Sequence, residues 1–574
     1  MARRALIPAL LILAFPALAM AQGTEQYLPS GSQIFLQIDS FQKTKAAYER
    51  TVQGKMMQGD TGKALKGLYA WALEAGEAAA AMHEMPTKED IALIKDGLQL
   101  IERVGAEGMA LGIELSQAWP PEGRIVVVLP KVAMGPANIV KFIEDVRARA
   151  REAGAEAKFQ VKKLNGRDVN SAELPFVHVD WWTEKDDFIL TIGSGEADAY
   201  IKQLDAKTAG LAANPTYKKL LEVGDFPTRS RSFVDVPSIA RTVDKVSPEA
   251  ARTVDELGLR GLGAIFSISG YDGPAQRTLT EMETIGARKG LLAAMSHTKI
   301  SLKDLPPLPS DMTTFSAGNT NSGKVYDSIL GVVENIGRIY VPDQVDNVKA
   351  GIKGFEDIIG VDLKKDLFDS FDDLAVQYSS PSEGLLGLGG ATLFKVKDEA
   401  KLKKAIKAIA AALPQIPGVE SSMKKRTFRG VEILEFHANT PGSFTVPSFC
   451  VYKGYFAYAS YPQQVQGYIL RVEGTLPSWK ADERLTKALA AFPKEFTGIS
   501  YSDPQPAVQA IIAAAPMAIS VLNGFTKLLP GLEPFDISQI PHAQEATLAL
   551  FPNLSVTTDD GKKIRIDSRA SIGN

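Results

Sequence analysis

Leu164-Asn165-Gly166-Arg167-Asp168-Val169 and Phe428-Arg429-Gly430-Val431-Glu432-Ile433 are two short runs in which a dipeptide ending in glycine parts two flanks of strand character. This layout predicts tight hairpins, because glycine takes the left-handed backbone that such a turn needs. The two runs also sit in a shared order of segments. Each leads to a strand pair, ending at residues 188–192 and at 455–459. Further on, residues 214–220 match 481–487, Val236-Pro237 matches Asp503-Pro504, and Pro248 matches Pro516. Upstream, a strand at 124–129 and a helix at 139–150 match 391–396 and 401–411. Leu28-Pro29-Ser30 and Leu308-Pro309-Ser310 open the two series before strands at 34–38 and 313–317, and the turns Tyr271-Asp272-Gly273 and Asp559-Asp560-Gly561 close them.

A long-period repeat is the sign of a duplicated unit. The sequence therefore predicts two tandem diverged copies of one module, residues 28–300 and 305–574, joined by a proline-rich link at 301–309 where proline blocks helix and central strand alike. Short alternating strands in hairpin pairs, parted by amphipathic helices, predict an α+β fold with mainly antiparallel sheet and packed helices. Helices are expected over 40–82, 87–104, 136–153, 197–203 and 237–257, with counterparts in the second copy.

Arg3-Arg4, an apolar run from Ala5 to Leu18 and Ala19-Met20-Ala21 have the layout of a cleavable signal peptide over residues 1–21, which places the mature chain in the periplasm or outside the cell. The run is short for a membrane span, so no transmembrane anchor is expected after cleavage. The single cysteine, Cys450, rules out an intrachain disulfide and a lipidated cleavage point, and its apolar setting reads as a small buried hydrophobe. Hydrophobic residues at 45% and charged residues at 23% suit a globular protein, and a formal net charge of −3 announces no nucleic-acid partner.

Motifs for chemistry are absent. The five histidines have no metal-ligand spacing, and no nucleophile elbow or phosphate loop can be read; no cofactor is expected. The glycines between 384 and 390 precede a strand and read as a bend. The acids Asp357, Asp362, Asp366, Asp369, Asp372 and Asp373 lack the ligand order of a calcium loop and read as the solvated side of a helix-turn-helix. The aromatics between Tyr452 and Tyr461 read as cross-strand packing.

Two candidate ligand or interface sites remain. Trp181 and Trp182, beside His178, could offer an indole face to a ring-shaped ligand, but a strand alternating inward and outward exposes at most one of them, and packing is the better reading. The stretch 507–522 carries Ile511, Ile512, Met517 and Val521 with only Gln509 and Ser520 as polar side chains, whereas its counterpart after Pro237 is amphipathic. A helix apolar on every side must be buried, here between the modules, or face something apolar. The run length and Pro516 argue against a membrane span.

The Leu-Pro-Ser openings, the segment Arg288-Lys289-Gly290-Leu291-Leu292-Ala293-Ala294-Met295 and the segment Gly360-Val361-Asp362-Leu363-Lys364-Lys365-Asp366-Leu367 resemble a family of large secreted bacterial proteins catalogued as a domain of unknown function. The resemblance implies export and assigns no catalytic residue. The expected function is a non-catalytic binding or structural role in the cell envelope or outside the cell, with an unknown protein or apolar ligand as partner. Two alternatives stand beside it: a carrier of lipid or another apolar ligand, and a hydrolase pairing His178 or His437 with Asp180 or Glu435.

Overall fold

The computed structural model describes residues 23–82, 88–115, 123–135, 138–152, 158–173, 178–193, 197–206, 210–295, 297–384, 389–412, 421–438, 445–526, 529 and 531–571. The expected signal segment lies outside them.

The fold is α+β, built among the described residues on one antiparallel sheet of 20 strands. Ten come from the first half of the chain: β1 (Ile34–Ile38), β2 (Met109–Leu115), β3 (Gly123–Leu129), β4 (Lys158–Leu164), β5 (Arg167–Glu173), β6 (His178–Glu184), β7 (Asp187–Gly193), β8 (Thr228–Asp235), β9 (Leu262–Asp272) and β10 (Ala275–Thr284). Ten come from the second: β11 (Thr314–Asn319), β12 (Phe371–Ser379), β13 (Gly390–Val396), β14 (Ser421–Phe428), β15 (Val431–Ala438), β16 (Ser448–Tyr452), β17 (Tyr455–Ala459), β18 (Gly498–Ser502), β19 (Asn553–Asp559) and β20 (Lys563–Ala570).

Pairing runs β4-β5-β6-β7-β3-β2-β1-β8-β9-β10 in the first half. It runs β14-β15-β16-β17-β13-β12-β11-β18-β19-β20 in the second, the same scheme strand for strand. Small details recur as well. Asp235 N donates to Gln33 O and Asp503 N to Thr313 O, both at 2.7 Å, so Asp503 occupies the place of Asp235, one residue off the Val236 match read from sequence.

The glycine dipeptides form the turns expected of them. Asn165-Gly166 and Arg429-Gly430 connect neighbouring strands with all four residues at positive φ, between 48° and 82°. Around Gly430 the space is open, so only its backbone conformation excludes other residues. Gly430→Ala is expected to cost about 1 kcal/mol in urea unfolding; a variant as stable as the parent would contradict the turn assignment.

Both faces of the sheet are covered in the first half. Phe35, Val126, Val128, Trp182, Ile189, Tyr200 and Phe233 form one core, and Ile38, Leu100, Val132, Trp181 and Phe188 form another on the opposite side. The second half centres on Phe315, Val376, Leu393, Tyr468 and Ile499.

Several helices differ from expectation. The stretch 40–82 is three helices, Phe41–Tyr48, Val52–Gln58 and Asp60–Met82, because Thr51 starts the second by accepting from Gly54 N. The stretch 237–257 is two, Val236–Val246 and Pro248–Glu256. There Ser247 leaves helical geometry and its Oγ accepts from Ala250 N at 3.1 Å, capping a new helix that Pro248 opens. At the matching point of the second half the helix Gln505–Thr526 runs unbroken through Pro516, preceded by Ala515, which has no capping oxygen. The acidic run is a helix end instead of a helix-turn-helix. Pro342–Ile359 stops at Gly360 in left-handed geometry, one wide turn spans Leu363–Leu367, and β12 follows.

The two ten-strand sets meet where β10 lies antiparallel to β20, from Gln276 opposite Ala570 to Glu283 opposite Lys563. The joint is charged. Arg277 grips Asp567 at 3.1 and 2.7 Å, Lys563 reaches Glu281 at 2.7 Å, and Arg288 holds the buried Asp559, with one bond of 2.7 Å. Burial pulls the Asp559 carboxyl up, yet hydrogen bonds from Arg288 and Gly561 N and the Arg288 charge hold it below its ordinary value. With the folded value depressed, the unfolded chain takes up protons first. The ion pair therefore stabilises fully above the ordinary carboxylate range, about pH 4, and its contribution fades as acid titrates the folded protein. Arg288→Ala is expected to flatten this acid limb in urea midpoints taken between about pH 2 and pH 7; an unchanged slope would remove Asp559 from the account.

Candidate functional site

The sequence candidates fall in different places. Trp181 and Trp182 are both buried, on opposite faces of β6, because helices cover the sheet on each side. Trp182 Nε1 donates to Glu184 Oε1 at 2.9 Å and its ring meets Tyr200 at 6.4 Å. Neither indole offers a face to a ligand, which corrects the candidate reading. The hydrolase pairs fare no better. Asp180 is buried and accepts from Ala197 N at 3.0 Å at the start of a helix. Glu435 and His437 approach at 3.4 Å, with Arg426 at 3.3 Å from the same carboxylate, so the acid is engaged in an ion cluster on β14 and β15. Among the described residues no group of three metal-binding side chains exists. Cys450 is buried, and burial pushes its thiol up to about 12, far from nucleophilic use.

The apolar stretch is the exception, and its burial between the halves is not what the structure shows. It belongs to the helix Gln505–Thr526, 22 residues without a charged side chain, long and apolar enough to cross a membrane, so the expected shortness of the run is also corrected. Its orientation is inverted. The long polar side chains face the protein: Gln505 Nε2 donates to Thr547 O at 3.3 Å, and Gln509 Nε2 to Thr547 Oγ1 at 2.9 Å. Asn523 brackets Phe535 with bonds of 2.9 and 2.8 Å. Ile519 and Thr526 complete the buried stripe. Phe535 in turn meets Trp71 at 6.1 Å, and Trp71 Nε1 donates to Glu533 O at 3.0 Å, tying the helix's support to the first half.

Five of the large apolar side chains look outward. Ile511 is 69% exposed, Met517 72% and Val521 60%, joined by Leu522 and Phe525, while Ile512 is half-buried. At 1.5 Å per residue the helix is about 33 Å long. Exposed apolar surface in a continuous stripe marks a contact with another molecule or with lipid.

In class, then, the molecule is an antiparallel α+β protein whose outstanding surface feature is an exposed apolar helix. No protein-family model and no curated protein matches the chain. Among solved structures it is similar to "Structure of crystal form IV of TP0453", at 11% identity and TM-score 0.23 over 48% of this chain and 82% of that one. Crystal form III of TP0453 gives 12% identity and TM-score 0.23 over 46% and 80%. Crystal form I gives 10% and 0.22 over 47% and 81%.

Proposed function

We propose that this chain is an exported, non-catalytic binding protein that attaches to lipid surfaces through the outer face of the helix Gln505–Thr526. The observation that carries the reading is the inversion of that helix, with Gln505, Gln509 and Asn523 turned inward while Ile511, Met517, Val521 and Phe525 face out. Burying the outer stripe gains roughly 25 cal/mol for each Å² of apolar surface removed from water. Protein interfaces combine an apolar centre with polar rims and hydrogen bonds. This face offers neither charge nor directional partner along its length, which favours acyl chains over a folded partner. The signal-like segment at residues 1–21 supports export.

An interfacial helix usually adds cationic residues that seek anionic headgroups. None is present here, so attachment is expected to be equal for neutral phosphatidylcholine vesicles and for vesicles with phosphatidylglycerol, and unmoved by salt. Flotation with both vesicle types tests this. The double variant Met517→Asp, Val521→Asp should stay folded and remain unbound. A folded parent protein that never floats, or that instead forms a stable dimer lost in the double variant, would overturn the reading. Carriage of an apolar ligand by this helix finds no support, since Ile511 and Val521 line the outer surface and not a cavity.

A further inference from the structure

A separate cleft of about 590 Å³ lies in the first half, between the helix Phe41–Tyr48, the helix Lys88–Glu107 and the strands β8, β9 and β10. Its size is that of a small-molecule site. One wall is aromatic: Phe41 and Tyr48 meet edge to face at 5.4 Å, and Tyr48 and Tyr271 at 5.7 Å. Arg229 from β8 lies beside this wall, its guanidinium carbon 5.4 Å from the centre of the Phe41 ring. Its Nη2 is buried without a hydrogen-bond partner. Buried donors left unpaired are rare and costly, and each asks for an acceptor.

The neighbouring charges are committed. Arg277, which also lines the cleft, is bound to Asp567 and to Asp272. Asp39, close to Arg229, is held by Lys43 at 3.0 Å. Glu102 stands exposed at the rim. One guanidinium is thus available beside an apolar wall, with a fixed negative charge at the mouth. That balance suits a monoanion and disfavours a dianion, and a planar guanidinium matches a carboxylate. The matching position of the second half carries no guanidinium. There Thr497 stands where Arg229 stands in the first, since Asp39 N donates to Arg229 O just as Asn319 N donates to Thr497 O.

We propose that this cleft binds a monocarboxylate with an apolar body, the carboxylate engaging Arg229 and the body lying against Phe41, Tyr48 and Tyr271. The site is independent of lipid attachment by the outer helix. Titration calorimetry with dodecanoate, kept monomeric, tests it, with dodecanol and inorganic phosphate as comparisons. The parent protein should bind one dodecanoate saturably, and Arg229→Gln should weaken it about tenfold or more, the loss of a charged hydrogen bond, while leaving dodecanol unchanged. Ser230→Trp, which fills the cleft, should abolish binding of both in a variant that still melts cooperatively. No saturable binding by the folded parent overturns the proposal, as does equal weakening of dodecanoate and dodecanol by Arg229→Gln. Inorganic phosphate binding more tightly than dodecanoate would make the cleft a free-anion site and overturn it too. The variant Met517→Asp, Val521→Asp must keep dodecanoate binding; if it loses it, the ligand sat on the outer helix and the cleft assignment fails while the lipid reading survives.

Discussion

Arg471→Met is expected to destabilise the folded chain by about 3–5 kcal/mol, the cost of stranding a buried charge. Arg471, on the helix Pro462–Val472, is 4% exposed and its partner Glu383 is sealed in with it. The guanidinium bonds the Glu383 carboxylate, donates to Tyr378 Oη at 2.6 Å, and reaches Pro307 O at 3.3 Å. Tyr378 Oη donates onward to Glu383 Oε2 at 2.9 Å. One side chain thus fastens the link at Pro307, β12 and the turn after it to a single helix. Urea unfolding measures the loss. Adding Glu383→Leu to Arg471→Met should recover part of it, because the second change removes the stranded carboxylate. A single variant that loses less than about 1 kcal/mol would show the cluster to be solvated in solution.

The second large effect separates the two faces of the apolar helix. Ile519→Asp, at a position 5% exposed, is expected to cost about 3 kcal/mol or more, since it buries a charge without a partner. Met517→Asp, two residues earlier and 72% exposed, should change stability by no more than about 0.5 kcal/mol. Thermal melts of the two variants decide the matter. Equal losses would mean that both faces are covered in the folded molecule and that the helix is no free surface.

The legible part of this fold was what short-range chemistry specifies. Asn165-Gly166 and Arg429-Gly430 name their own turns, and alternation around them names the strands, so an antiparallel α+β architecture followed. Helix breaks were less visible. Pro248 and Pro516 look alike in sequence, and the difference lies in whether the residue before them can cap.

The site was legible only as composition. That residues 507–522 are apolar is plain, but which face turns inward depends on Thr547 and Phe535, acceptors that lie beyond the helix in sequence. The polar minority facing inward reverses the usual rule, and no periodicity reveals that. The cleft left no signal at all. Phe41, Arg229 and Tyr271 are far apart along the chain and meet only once β1, β8 and β9 lie side by side. Arg229 belongs to no motif and lies where the pairing of β8 with β9 shifts register between Thr228 and Ser230, and its buried Nη2 has no hydrogen-bond partner.

The antiparallel meeting of β10 with β20 has a further meaning. Each is the last strand of its own set, and an unpaired last strand is a template on which other chains grow. Because both belong to one polypeptide, the encounter is a first-order event, independent of how dilute the protein becomes, and a stranger competes with a neighbour that is always within reach. Among the described residues the outermost strands are β4 and β14, at the two ends of the sheet away from this joint. A strand pairing with either rim from another molecule has to arrive from solution, whereas the joint at the centre forms within one chain at any dilution.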